Sequence, residues 1–430
     1  MRILITGQTF YQKNNGQAVF TVHLAEGLVQ LGHEVMVIAP SESWRPYNQT
    51  HHGLTLQTVP TIPLKHNANI TGFSGQLVEQ AITQFQPDLV HIQDHYFLSR
   101  AVWQVARKYG LAMMGTNHFL PDNLTYNFRI PVRLSPPLHR LMWRDLLTMF
   151  NTLQAVTTPT ETAANILRKQ KITAPVQAIS CGVDQARFRP RPDFDRRRFR
   201  RQYGLDPEKF LLLYVGRVDR EKALDILIRA VATLGRDDLQ LAIAGQGTHL
   251  ANLQTLSRQL SPARPMIFTG YFPSHDLPFL LNSADIFVMP SRAELQSIAT
   301  LEAMSSGLPV LAANARALPE LVEDGVNGYL FEVDNIQDAR QKLTMLVDDR
   351  RRWPAMAAAS LAKARPHSLP NTIRRYDMLY QELQTQPEPV RRHLAAPPGF
   401  KELTRRGVKI AGKVKSQPLL KKLIAALLAS

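Results

Sequence analysis

The 430-residue chain has one cysteine, Cys181, which excludes an internal disulfide framework and leaves too few sulfurs for a Cys/His metal cluster. A reducing compartment is the expectation. No uninterrupted apolar run reaches the roughly 18 residues that a membrane-spanning helix needs. Met1-Arg2 leads straight into "ILIT", so no secretory leader is read there. Acidic residues are also in short supply: 35 Asp and Glu face 51 Lys and Arg, a formal charge of +16. That excess points to an anionic partner, and nucleic acid, an anionic membrane and nucleotide phosphates all fit. Two fingerprints are missing as well. No G-x-G-x-x-G follows the first strand and no Walker A sequence occurs, which weakens dehydrogenase and kinase readings.

What is present is the pattern of α/β proteins. Hydrophobic residues make up 44% and charged residues 20%, ordinary for a folded chain, and the length suggests two domains. Short apolar runs alternate with helical patterns. Strands are read at 2–6, 34–38, 89–92, 112–115, 155–157 and 176–179, with a helix over 18–29 closing at Gly32. A second series starts with a strand at 210–215 and a helix from Ala223, and runs on through "LQLAIAGQG", "DIFVMP" and "LPVLAA". Each half is a doubly wound candidate.

Between the halves, Arg196, Arg197, Arg198, Arg200 and Arg201 lie in a Pro- and Arg-rich linker. A nucleic-acid patch is one reading; a solvated helix face is the favoured one. After about residue 385 the chain becomes Pro-rich, then basic: residues 391–430 hold ten Lys and Arg against one acid, Glu402. The tail ends in the amphipathic "LLKKLIAALLAS". Docking on the body and lying on an anionic membrane both remain open, with the membrane favoured. The 128–150 stretch mixes Arg129, Arg133, Arg140 and Arg144 with Leu138, Leu141, Trp143 and Leu147, and supports a membrane-facing side.

Chemistry is sought at strand ends, where open α/β sheets bind ligands. Gly16, before the first helix, permits close backbone approach to a ligand; a simple turn is the equal alternative. Gly216 and Arg217 end the 210–215 strand, and Lys222 follows five residues later. A guanidinium and a mobile ammonium suit a diphosphate. Glu294 and Glu302 are eight residues apart and could be an acid/base couple or a solvated helix face. Pro290 keeps Glu294 in a loop, with a helix from about Ser297 to Gly307. Glu302 then borders that helix's apolar stripe, where an unpartnered carboxylate costs several kcal/mol, roughly.

"GRVDREKALDILIRA", "AGQG", the E-x7-E of Glu294 and Glu302, "EAMSSGLPVLA", "PELVEDGVNGYLF" and "CGVDQARFRP" together resemble the retaining nucleotide-sugar glycosyltransferases of family 4. The resemblance spans about residues 1–385. It implies the GT-B fold: two facing Rossmann-like doubly wound domains around a deep interdomain cleft, here with a basic C-terminal tail. The implied division is an acceptor domain over 1–185, a donor domain over 186–370, a helix crossing back over 371–387 and the tail over 388–430. The resemblance makes Arg217 and Lys222 the diphosphate pair, Glu302 the ribose-binding acid and Glu294 the acid near the donor sugar. Ser297 and Ile298 stand where relatives present helix amides to phosphate, and His118 matches the first-domain histidine near the reacting centre. Gly216, Gly245 and Tyr271 complete the expected donor site with Gly16. No metal and no cofactor beyond the nucleotide-sugar donor are expected. Ser297 replaces a usual glycine, and "ANARALPELV" replaces a glycine-rich turn. With "NHFLPDN", these departures resemble the branch that glycosylates membrane lipids such as diacylglycerol. The implied reaction moves a hexose, glucose from a UDP-sugar, to a lipid at the cytoplasmic face of a membrane. A soluble or polyprenyl-linked saccharide is the alternative acceptor. Two readings from other classes are a specific nucleic-acid binder, disfavoured because no recognition module accompanies the charge, and a non-catalytic sugar-nucleotide-binding scaffold.

Overall fold

The computed structural model describes residues 1–10, 16–41, 45–51, 53–63, 69–70, 74–127, 134–261 and 266–385. The basic tail over 388–430 and residues 128–133 of the basic stretch lie outside the described residues.

The first sheet is built from β1 (Arg2–Thr6), β2 (Glu34–Pro40), β3 (Asn48–His51) and β4 (Leu54–Val59). A two-stranded ribbon, β5 (Ile62–Pro63) with β6 (Asn69–Ile70), stands apart from it. The sheet continues with β7 (Leu89–Ile92), β8 (Ala112–Thr116), β9 (Ala155–Thr158) and β10 (Val176–Ala178). Its order is β10-β9-β8-β7-β1-β2-β4-β3, parallel except for the β3–β4 pair. The second sheet holds β11 (Phe210–Val215), β12 (Leu239–Ala244), β13 (Ile267–Gly270), β14 (Ile286–Met289), β15 (Val310–Ala313) and β16 (Gly328–Phe331). It is wholly parallel, in the order β13-β12-β11-β14-β15-β16. Parallel strands are covered by helices on both faces, so they need continuous apolar runs; "LQLAIA" of β12 and "IFVM" of β14 are buried throughout. In each sheet the strand order reverses once, between β1 and β7 and between β11 and β14. Ligands bind outside the carboxyl ends of strands at such switch points.

The helix Leu369–Thr385 returns to the first sheet. Its buried side chains, Thr372, Ile373, Tyr376, Leu379, Tyr380 and Leu383, recur every three to four residues and so share one face. That face packs on the helix Gly16–Gln30. Contact is closest at Gly27, where a Cβ would stand 2.1 Å from Ile373 Cδ1. The two passages of the chain between the sheets also touch: Val183 N donates to His367 O at 2.8 Å, and Leu369 N to Val183 O at 2.9 Å. Gly182 adopts φ +78° there, and a Cβ would lie 2.8 Å from Thr372 Oγ1, so only glycine fits at this crossing.

Two local readings need correction. The turn before the second domain's first helix is a separate 3-10 segment, Arg220–Lys222, and the helix begins at Leu224 after Ala223 takes φ +49°. The Arg196–Gln202 helix is not simply a solvated face. Arg200 is 2% exposed and donates to Ser283 O, Lys209 O and Asp285, while Arg196 also reaches Asp285; these two cations tie the linker to the second domain. The strand β4 and the short polar β3, which pairs antiparallel with it at the sheet edge, were not read from the sequence.

Candidate donor site at the domain interface

The second domain's site starts where β11 ends. Gly216 takes φ +150°, and Gly245, at the end of the neighbouring β12, takes the same value; a Cβ on Gly245 would stand 1.8 Å from Gly216 O. The two strand-end loops thus touch backbone to backbone. Tyr214, fully buried, donates its hydroxyl to Arg217 O at 2.6 Å and pins the loop. Arg217 is held by two carboxylates, Nη1 to Asp219 and Nη2 to Glu221, both at 2.7 Å. The Arg217 side chain is nearly half exposed; the surrounding protein partly desolvates its charge, but Glu221 and Asp219 outweigh that and raise its pKa. Asp219 in turn accepts from Thr248 N and Oγ1, each at 2.8 Å. Glu221 is wholly buried.

Lys222 reaches across to Glu294, which lies in the loop after β14. Lys222 Nζ and Glu294 Oε1 are 2.6 Å apart, with side chains 13% and 11% exposed. Three residues on, Ser297 caps the helix Ile298–Ser305, its hydroxyl accepting from Thr300 N and Thr300 Oγ1. The Ser297 oxygen accepts within the cap, and the amides at the open first turn form the helix's positive end. Glu302 sits one turn further along. It is only partly covered, yet the surrounding protein desolvates its carboxyl and pushes it up to about 8, with Arg187 a lesser opposing charge. Tyr271 follows β13 and is 40% exposed, after Gly270 at φ +67°.

The first domain meets this helix directly: a Cβ on Gly16 would be 3.6 Å from Ile298 Cδ1. The loop residues 11–15 before it lie outside the described set. Further contacts close the interface. Gln296 Oε1 accepts from Cys181 N at 2.8 Å, Thr160 Oγ1 donates to Leu295 O at 2.8 Å, and Arg316 pairs with Asp122. His118 stands just past the carboxyl end of β8, its Nε2 3.0 Å from Gln93 Oε1 and its ring tilted against Phe20. Burial lowers its pKa to about 3, so the imidazole is neutral at physiological pH. Behind it, the buried His91 contacts Tyr380 Oη and Thr116 Oγ1, each at 2.7 Å.

Gly216, Arg217 and Lys222 follow β11 and Glu294, Ser297 and Ile298 follow β14, the two strands of the second sheet's switch point, whereas Gly245 and Tyr271 follow β12 and β13, Glu302 lies within the Ile298–Ser305 helix, and Gly16 and His118 belong to the first domain. Arg217, Lys222, Glu294, Ser297 and Ile298 form a continuous group; His118 belongs to the facing domain. Sequence reasoning missed Asp219, Glu221, Gln93 and the tyrosines of the returning helix. The two acids were visible in "GRVDREK", where only the cations were weighed.

Two family models cover most of the chain: "Glycosyltransferase Family 4" matches residues 14–187 and "Glycosyl transferases group 1" residues 195–363. The D-inositol 3-phosphate glycosyltransferase of Thermobifida fusca is 31% identical over 299 residues, 66% of this chain and 67% of that protein. The chain belongs to glycosyltransferase family 4. Other relatives of this family 4 glycosyltransferase carry different names, one of which includes a lipid, diacylglycerol. The sulfoquinovosyl transferase of Arabidopsis thaliana is 27% identical over 79% of this chain, which spans 62% of that relative's length. The alpha-monoglucosyldiacylglycerol synthase of Streptococcus pneumoniae is 24% identical over 77% of this chain and 75% of its own. Among solved structures, sucrose-phosphate synthase from Thermosynechococcus elongatus superposes with a TM-score of 0.75 at 18% identity, covering 89% of this chain and 99% of that one. The Anabaena protein HepE, in complex with UDP-glucose, gives 0.72 at 18% identity over 89% and 100%. The fold is GT-B.

Proposed function

We propose that this glycosyltransferase moves a hexose, glucose from UDP-glucose, to the hydroxyl of a membrane lipid such as diacylglycerol, with retention at the anomeric carbon. The observation that carries the reading is the group formed by Arg217, Lys222, Glu294 and the Ile298–Ser305 helix end at the β11/β14 switch point. In the reaction the bond between the sugar's C1 and the diphosphate oxygen breaks, and its electron pair leaves on the diphosphate. Arg217, Lys222 and the helix amides at Ser297 and Ile298 stabilise that charge. The acceptor oxygen bonds to C1 on the same face, and its proton passes to the departing phosphate oxygen. The atoms balance without a metal or other cofactor.

Glu302 accepts from the ribose hydroxyls, and Glu294, exchanged from Lys222 by the incoming diphosphate, holds the sugar. Gly216 and Gly245 let the backbone approach the nucleotide, Tyr271 lies beside the base, and Gly16 and His118 close the site from the first domain. The paired acids are sugar and ribose holders rather than an acid/base couple.

The lipid acceptor rests on the named relatives and on the helix Ser135–Phe150, which exposes Arg140, Leu141 and Arg144 together; Leu141 is 61% exposed. Among the described residues no helix is long and apolar enough to cross a membrane. Peripheral attachment to the cytoplasmic leaflet, through this face and the basic tail, fits that composition. The D-inositol 3-phosphate relatives favour a second reading, a soluble acceptor. Incubation with a panel of sugar nucleotides against lipid and soluble acceptors, with and without chelator, separates these outcomes. An α-linked glucolipid formed in the presence of chelator supports the reading. Transfer confined to soluble acceptors overturns its lipid half, and a β-linked product its stereochemistry.

A further inference from the structure

The polar contact that the His118 ring makes among the described residues is with Gln93, a residue that the donor-site reading does not use. Gln93 lies at the carboxyl end of β7, beside the β1/β7 switch point, and is completely buried. Its backbone is fixed on both sides: its N–H donates to Thr6 O at 2.8 Å, and its carbonyl accepts from Gln17 Nε2 at 3.2 Å. Its amide nitrogen stands over the His91 ring, 3.3 Å from Nδ1 and 3.2 Å from Nε2. Both nitrogens of His91 already face hydroxyls, those of Tyr380 and Thr116. The amide oxygen is thereby turned to His118 Nε2 at 3.0 Å. A carboxamide oxygen only accepts, so the ring nitrogen opposite it carries the proton.

We infer that Gln93 is a positioning residue that holds His118 as the neutral Nε2–H tautomer, leaving Nδ1 as the ring's one hydrogen-bond acceptor. The inference rests on the reading of His118 as a group beside the reacting sugar. There the tautomer matters for two reasons. An acceptor nitrogen can take a sugar hydroxyl's proton in a hydrogen bond. A neutral ring also adds no positive charge next to an anomeric carbon that becomes positive as the diphosphate leaves. An amide supplies the acceptor without a charge of its own, whereas a carboxylate in its place would favour the imidazolium.

The groups around the ring agree with this. From β7 the neighbours are neutral His91 and the carboxyl of Asp94, which is taken up by Gln8 N, Tyr96 N, Ser99 Oγ and Gln17 Nε2. The first helix offers Phe20, and the returning helix presents Tyr376 and Tyr380, whose hydroxyls are bonded to Thr157 and His91. At the interface Lys222 pairs with Glu294 and Arg316 with Asp122, so these charges are already compensated. The chain Tyr380–His91–Gln93–His118 also ties the seating of the returning helix to the orientation of the ring.

The test uses nitrogen-15 histidine NMR on the full chain, with the His118 signals assigned by their loss in His118→Asn, together with pH profiles of transfer. The wild type should show the proton on Nε2 and no titration of His118 between pH 6 and 8.5. Gln93→Glu should bring the His118 titration into that range and make kcat fall about tenfold from pH 8.5 to pH 6, with donor KM changing less than threefold. Gln93→Leu, which removes the acceptor without adding charge, should show a mixture of tautomers. A wild-type ring protonated on Nδ1 overturns the inference, as does a Gln93→Glu profile that superimposes on the wild type. The tautomer is read without turnover, so it is decided whatever the donor panel shows.

Discussion

Removing Lys222 should do two separable kinds of damage. The Lys222–Glu294 contact is 2.6 Å long and both side chains are about nine-tenths covered, at 13% and 11% exposure. In such a setting one lost partner leaves a charge buried without compensation, which costs about 3–5 kcal/mol, whereas truncating both partners removes the uncompensated charge and leaves the lost packing. The residual exposure places Lys222→Ala near the lower end, about 3 kcal/mol. Lys222→Ala/Glu294→Ala should recover about 2 kcal/mol of that loss. Transfer behaves differently. Lys222 is assigned to the departing diphosphate, so both variants should turn over about 100- to 1,000-fold more slowly. Urea unfolding of the wild type, both single variants and the double variant measures the first effect. Single-turnover transfer with saturating sugar nucleotide measures the second. Unfolding of Lys222→Ala within about 1 kcal/mol of the wild type, or a double variant as unstable as the sum of the singles, refutes the pairing. Recovery of turnover along with stability would show that Lys222 serves the fold alone.

Arg217→Ala should lower turnover by a similar factor, about 100-fold or more, seen as release of UDP from UDP-glucose in the presence of acceptor; wild-type turnover would remove Arg217 from the site. The carboxyl of Glu302 titrates at about 8 in the native protein against 4.5 for the ordinary group. Between those values the folded chain holds a proton that the unfolded chain releases, so wild-type stability falls as pH rises through that window. Glu302→Gln removes this dependence, and thermal melts should find it stabilised by about 1–2 kcal/mol at pH 8.5, after allowance for solvent, with little difference at pH 4.5; equal shifts at both values would deny the desolvation. Gly245→Ala places a Cβ 1.8 Å from Gly216 O at φ +150°; a loss above about 2 kcal/mol and weakened nucleotide binding should follow, measured by melting and calorimetry.

Much of this was legible because buried parallel strands write themselves as unbroken apolar runs. "FLLLYV", "IFVM" and "VLAA" have little other use, and strand ends mark where ligands bind. Arg217 and Lys222 could be placed for the same reason. Their partners could not: a sequence shows that Asp219 and Glu221 are acids but not that both turn back on Arg217 while Lys222 turns to Glu294. The two cations face three carboxylates before any phosphate arrives, a balance that only geometry discloses. Tertiary contacts were equally hidden. Tyr380 meets His91 across 289 positions of chain, and the apolar spacing of the returning helix announces a buried face without saying which polar groups wait beneath it. The Arg196–Arg201 run misled because composition treats its members alike, while the fold buries Arg200 against carbonyls and leaves Arg197 at the surface. Strand β3, "NQTH", carries no apolar alternation, since an edge strand pairs through its backbone.

The central claim is that a nucleoside diphosphate sits on Arg217 and Lys222 at the end of β11. A crystal structure of the full chain with UDP tests it most directly. The account predicts the diphosphate within hydrogen-bonding distance of both cations and the first turn of the Ile298–Ser305 helix, with the ribose on Glu302 and Glu294 released from Lys222. A diphosphate bound elsewhere, with the Lys222–Glu294 pair intact, would contradict it.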